Sequence, residues 1–150
     1  MMLENKHLHT HRVTVNAYLI RNGKFLLLKR TTDPKIWVPP GGRLKIDEDP
    51  VKGLIREVKE ETGLDIEVIA PVNTWFGRWK DTWLLSIDYL TYATAGQLTL
   101  SSEHNHSYWI SLEELENGYP VKLNDRLGFG LADFKLAWKL NLIHTSDPID

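Results

Sequence analysis

Cysteine is absent from this chain of 150 residues, which excludes disulfides, thiolate nucleophiles and zinc–thiolate centres. That absence fits a reducing compartment. No apolar run approaches the ~18 residues that mark a membrane-crossing helix, and the first twelve residues carry no secretory apolar stretch. A soluble, cytoplasmic protein is therefore expected, with no membrane partner. Excess charge of either sign is also lacking: 18 Lys and Arg against 20 Asp and Glu leave a formal net charge of −2, and the pI is about 6.3. Such a balance gives no general attraction to a nucleic-acid polymer or an anionic membrane, so the expected partner is a small molecule. Internal repeats, low-complexity segments and linkers are missing as well. A hydrophobic content of 42% in 150 residues is enough for one core, and a single domain over residues 1–150 is expected.

What the chain does hold is a concentration of acids within residues 42–64, GRLKIDEDPVKGLIREVKEETGL. From Asp47 or Glu48 onward the segment reads as a helix, with Asp47 as the expected N-cap, acids in the first turn and Pro50 tolerated near the start. At about 100° per residue, Val51, Leu54, Ile55 and Val58 form one apolar stripe. Glu57, Glu60 and Glu61, at i, i+3 and i+4, stand on a different face. Carboxylates crowded onto about one turn repel one another unless solvated or bridged, and hard oxygen ligands of this kind suit Mg²⁺ or Mn²⁺. Arg56 can reach Glu60 at i+4 or brace Glu57 from beside it, and Gly63 ends the helix. A solvated surface helix would explain the acids one by one. It does not explain the whole string, whose chance occurrence at average residue usage is on the order of one in a billion per start point.

Gly42, five residues, Glu48, seven residues, then Arg56-Glu57-hydrophobic-x-Glu60-Glu61-x-Gly63-hydrophobic resembles the complete signature of the Nudix hydrolases. Residues 37–42, WVPPGG, are similar to the W-x-x-P-G-G approach to that signature. One departure is Gly53, where the family often has alanine; a mid-helix glycine costs about 1 kcal/mol relative to alanine. The resemblance implies an α/β fold, the Nudix alpha/beta/alpha sandwich with a mixed β-sheet. It also implies metal-dependent hydrolysis of a diphosphate linkage in a nucleoside diphosphate joined to another group. Mg²⁺, with Mn²⁺ as substitute, would be held by Glu57, Glu60, Glu61 and the Gly41 carbonyl. Glu57 is the first choice as general base and Glu103 its rival, Arg56 would orient the carboxylates, and Glu48 would support the loop or the outer shell of the metal. Nucleoside triphosphates, oxidised or non-standard ones included, lead the substrate classes. A nucleotide sugar or ADP-ribose is the alternative, but the proline of many ADP-ribose-specific members is replaced by Lys80. A nucleotide-sensing domain without hydrolysis is the rival of a different class, and such domains usually depart from the signature. A homodimer is compatible with all of these readings.

Outside the signature, alternation lets only one of Lys29 and Arg30 face the site; Arg30 is preferred because a guanidinium matches phosphate oxygens in bidentate fashion. Gly42 and Asn124 complete the expected substrate contacts. Asn124 resembles the asparagine with which MutT-like members read a purine edge, although a turn or N-cap is the stronger reading there. Glu103 lies in a polar loop where family members add a metal ligand or base; His104 and His106 beside it could also touch metal or phosphate, but solvent exposure is the stronger reading for both. Trp37, Trp75, Phe76, Trp79 and Trp83 are candidates for stacking on a base. His7, His9 and His11 alternate, but an exposed terminus explains them better than a metal site.

The elements alternate along the chain. Residues 12–20 and 25–30 read as strands around an Asn22-Gly23 hairpin turn, and 31–42 as a loop. Residues 66–78 and 82–93 read as paired strands, with a short strand after Gly96, a polar loop at 101–107 and a strand at 108–110. Ser111 and Glu114 form a capping box, and a last, mostly buried helix is expected over 131–143.

Overall fold

The computed structural model describes residues 10–146. Strand β1 (Arg12–Arg21) turns through Asn22 and Gly23, whose φ of 53° and 77° are what a type I′ hairpin needs, and returns as β2 (Lys24–Arg30). The proline- and glycine-rich loop that follows contains two short strands, β3 (Trp37–Val38) and β4 (Gly41–Arg43). A long hairpin, β5 (Leu64–Trp79) and β6 (Thr82–Gly96), turns at Lys80 with φ 58°. No strand forms after Gly96; residues 97–103 are irregular. Strand β7 (His104–Ile110) instead begins earlier than the expected 108–110, because Ser107, His106 and His104 continue the ladder against Leu28, Lys29 and Arg30 of β2. Backbone pairing there overrides the polar composition of the segment.

The strands form one mixed sheet in the order β3-β2-β1-β6-β5, with β4 on β1 and β7 on β2. β1 runs parallel to β6, and the other pairs are antiparallel. β1 and β2 pair only beside their turn; farther along, β4 takes the edge of β1 and β3 that of β2. The site described below opens where the two strands part.

Alternation sorts the side chains into two layers. Val15, Ala17 and Leu19 of β1 and Leu26 and Leu28 of β2 face helix α1 (Pro50–Thr62), whose Leu54 and Val58 are fully buried against them. Tyr18, Ile20, Phe25 and Leu27 face the opposite way, toward Phe129 and helix α3 (Leu131–Thr145). Helix α2 (Leu112–Asn117) closes that layer with Leu115, and the Ser111 capping box forms as expected. This is the alpha/beta/alpha sandwich.

Three local expectations need correction. The N-cap of α1 is Asp49, which accepts from the Lys52 N–H, and no acid lies in the first turn. Asp47 has φ 60°, a left-handed conformation incompatible with the extended backbone of an N-cap. The intrinsic cost of Gly53 relative to alanine is not the whole account: Gly53 is buried, and a Cβ there would press on Leu44 and approach the Glu48 carboxylate. The last helix is buried on one face only. Phe134 and Ala137 are fully buried, while Leu136, Leu142 and Ile143 are 40%, 50% and 61% exposed. A helix lying on a sheet buries one stripe, and apolar residues spread around all sides cannot all reach it. Among the described residues, no helix is long and apolar enough to cross a membrane.

This asymmetry gives a stability prediction. Phe134→Ala is expected to cost about 3–5 kcal/mol, whereas Leu142→Ala stays within about 0.5 kcal/mol; urea denaturation of the two variants checks the contrast.

Candidate active site

Leu54 and Val58 anchor α1 to the sheet, and Glu57 and Glu61, each three residues further on, are carried to the flank that meets β4. Glu61 is 5% exposed and accepts the Gly41 N–H at 2.8 Å. Glu57 is half-buried, and a Cβ on Gly42 would overlap its carboxylate, while a Cβ on Gly41 would run into the backbone of Val15 and Asn16, so glycine at Gly41 is what lets β4 approach β1. Arg56 braces the other side: its guanidinium donates to both Glu48 oxygens at 2.7 and 2.8 Å, lies 3.1 Å from Glu57 and donates to Glu60 at 3.1 Å. The Lys45 N–H adds a bond to Glu48 at 2.9 Å.

These surroundings divide the acids electrically. Hydrogen bonds from Arg56, then from Lys45, hold Glu48 down to about 2. Burial pushes Glu57 up against the opposing pull of Arg56. Burial also pushes Glu61 up to about 8; the Gly41 N–H opposes this, while Glu57, Glu103 and Glu60 add to it by repulsion. Carboxylates brought together with their charge disfavoured are suited to a cation. Oxygens of Glu61 and Glu103 and a ring nitrogen of His104 lie within 4.8 Å of one another.

Gly41, Gly42, Glu57, Glu61 and Glu103 line a cleft of about 700 Å³, together with Arg30, Trp75, Trp79 and Phe129. Arg30 sits over the Trp79 ring at 5.1 Å and donates to the Pro34 carbonyl and the Thr32 hydroxyl, whereas Lys29 lies over Trp37, outside the lining. Glu60 is not brought into the cleft; its side chain is 57% exposed and paired with Arg56. Asn124 also lies elsewhere, its Oδ1 accepting the Arg126 N–H as the cap of the 3-10 turn Asp125–Leu127. The polar-loop reading of His104 is overturned: at the start of β7 it is 7% exposed, whereas His106 is exposed. Of the aromatic candidates, Trp75 and Trp79 line the cleft, Trp37 packs against the core, and Phe76 and Trp83 stack on each other in the open at 5.3 Å. His7 and His9 lie outside the described residues; His11 is edge-on to Phe76.

Sequence reasoning missed a polar cluster at the base of this cleft, in which Asn16 and Ser86 belong to the lining and the buried Asp88 does not. Asn16 donates to Ser86 and Asp88 at 2.9 and 3.0 Å, and Ser86 donates to Asp88 at 2.6 Å. Asp88 is 1% exposed, one of its oxygens is unpartnered, and burial raises its pKa to about 6. The available signal was Ser86 and Asp88 at i, i+2 on one face of a strand otherwise rich in apolar residues.

Comparison with known proteins agrees with this geometry. The family profile of the NUDIX domain matches residues 10–127. A MutT-like protein of Streptomyces ambofaciens is 32% identical over 123 residues, covering 78% of this chain and 77% of its own length. The chain spans only 22% and 39% of two longer relatives. Among solved structures, a MutT protein from Methanosarcina mazei superposes with a TM-score of 0.72 at 26% identity, covering 87% of this chain and 94% of the other. An ADP-ribose pyrophosphatase from Streptococcus suis gives 0.70 at 23% identity over 94% and 97% of the two chains, a likeness of fold alone.

The raised Glu61 pKa fixes a sign for pH dependence. In chelator-treated protein the folded state keeps a proton on Glu61 that the unfolded chain releases near 4.5, so stability falls as pH rises from about 4.5 to about 8. Denaturation midpoints across that window are expected to drop for the wild type; Glu61→Gln removes the slope above about pH 6, while Asp88, raised to about 6, sustains part of it below.

Proposed function

Because this chain belongs to the NUDIX family and is a hydrolase of nucleoside diphosphate derivatives, we propose that it cleaves nucleoside triphosphates, oxidised or otherwise non-standard ones included, with Mg²⁺. The observation that carries this reading is the convergence, in one cleft, of buried carboxylates with Arg30 and the aromatic walls of Trp75, Trp79 and Phe129. Glu57, Glu61 and Glu103, with the Gly41 carbonyl, would hold the ion; Glu60, turned outward and paired to Arg56, contributes repulsion to its neighbours rather than an inward ligand.

A divalent ion held by these residues would supply charge neutralisation for diphosphate oxygens and would make an attacking water more acidic. Glu57 is positioned to accept a proton from the attacking water, since burial raises its proton affinity while Arg56 keeps it oriented. Glu103, exposed at the cleft, is the rival base. Arg30 spends two donors on Pro34 and Thr32, which hold it in place, and keeps others for phosphate. The aromatic walls suit the flat faces of a nucleobase.

One feature ranks the triphosphate ahead of a nucleotide sugar or ADP-ribose. A second groove shares Trp79 and Leu127 with the cleft and is lined by Lys35, Arg78, Lys80 and Arg126 against a single acid, Asp33. Cations reward further phosphate and offer little to a neutral sugar.

Purified protein with Mg²⁺ is expected to turn over triphosphates ahead of ADP-ribose, nucleotide sugars and dinucleoside polyphosphates. Inactivity across that panel with both Mg²⁺ and Mn²⁺ would sink the proposal. Glu57→Gln is expected to lower kcat by about 10²–10⁴-fold with the fold retained; a larger loss in Glu103→Gln would move the base to Glu103.

A further inference from the structure

We propose that His104 is a nitrogen ligand to the divalent ion, making this a mixed oxygen–nitrogen centre that favours transition ions over Mg²⁺. The inference rests on the metal-dependent reading above and adds a residue that the family signature does not contain.

The local backbone explains how consecutive side chains reach one point. In a continuous strand Glu103 and His104 would point to opposite faces. Here Glu103 belongs to the turn that leads into β7, closed by the His104 N–H donating to the Ser101 carbonyl at 3.4 Å. The ladder with β2 then shifts register between Lys29 and Arg30, so that Arg30 pairs with His104 and Asn105 is the extra residue. Turn and bulge together bring both side chains to Glu61 of α1.

His104 is more than nine-tenths buried, and its Nδ1 has no hydrogen-bond partner. Leaving a buried polar nitrogen unpaired disfavours the folded state, so such a group calls for an explanation. A bond to the neighbouring acids is not the explanation: among the described residues, His104 forms no side-chain hydrogen bond or ion pair with Glu61 or Glu103. The spacing suits a shared ion better. Donors about 2.1 Å from one ion stand about 3 to 4.2 Å apart, and the three donor atoms already lie within 4.8 Å of one another.

Ligand chemistry then sets the preference. Mg²⁺ takes oxygen almost exclusively, whereas imidazole favours first-row transition ions, with affinity rising from Mn²⁺ to Co²⁺. Removing the nitrogen should therefore weaken Co²⁺ binding far more than Mg²⁺ binding.

The test is electron spin-echo spectroscopy of the Mn²⁺-loaded wild type, with calorimetric titration of Mg²⁺ and Co²⁺. Modulation from a directly bound ¹⁴N is expected, changing to the ¹⁵N pattern when histidine is ¹⁵N-labelled, persisting in His106→Gln and disappearing in His104→Gln. Co²⁺ affinity of His104→Gln should fall by on the order of 10-fold or more, with Mg²⁺ affinity changed far less. Bound Mn²⁺ without nitrogen modulation in the wild type overturns the role of His104 and leaves the metal-dependent hydrolase standing. Modulation that survives in His104→Gln overturns it equally, and failure to bind any of these ions overturns both readings. Should the variant not fold, the labelled wild type still distinguishes a bound histidine nitrogen from its absence.

Discussion

A single guanidinium ties together the parts on which the site depends. Arg56 grips Glu48 of the loop bidentately, lies against Glu57, pairs with Glu60 one turn on, and makes a long 3.4 Å contact to the Arg43 carbonyl at the end of β4. Without it, the acids of α1 would face one another with no fixed cation among them, and the loop between β4 and α1 would lose its charged anchor. Arg56 can do this because its planar fork serves several acceptors at once, which a lysine ammonium does not reproduce. Its position is set in turn by Leu54 and Val58, whose burial orients the helix.

The cleft is held at a cost that the two apolar layers offset. Glu61, Asp88 and His104 are all buried, and Asp88 and His104 each have an unpartnered atom. Desolvation lowers the affinity of His104 for a proton and raises that of Glu61 and Asp88, so burial resists charge at every one of them. Buried polar groups of this kind destabilise a fold unless something pairs with them. Their concentration on one side of α1 and between β1 and β6 marks where binding energy from a ligand would be recovered. The splayed strands β1 and β2 leave the opening, with a hydrophobic layer on each face of the sheet.

Local chemistry makes several elements legible in the sequence. The Asn22-Gly23 turn, the Ser111 capping box and the Gly63 terminator each depend on residues a few positions apart, and all three form. The N-cap of α1 is ambiguous in sequence because Asp47, Glu48 and Asp49 are adjacent acids, and only the backbone conformation separates a capping residue from a left-handed one. The start of β7 is hidden because its first residues are polar, and pairing with a distant strand, invisible in local composition, brings them into the sheet.

The sequence alone determined the chemistry of the chain: the spacing of Gly42, Glu48, Arg56, Glu57, Glu60, Glu61 and Gly63 places acids, arginine and glycines on one loop and one helix, where neighbours are set by residue number. Tertiary structure decided which of these groups face inward and what joins them. It turned Glu60 to solvent, moved Asn124 away from the cleft, and carried Glu103, from the turn before β7, and His104, from the first position of β7, to Glu61. It also assembled a polar cluster from Asn16, Ser86 and Asp88 across two parallel strands. The physical reason is range. Helical periodicity and caps act over a few residues, whereas burial, and the proton and metal affinities that follow from it, depend on which distant segments pack together.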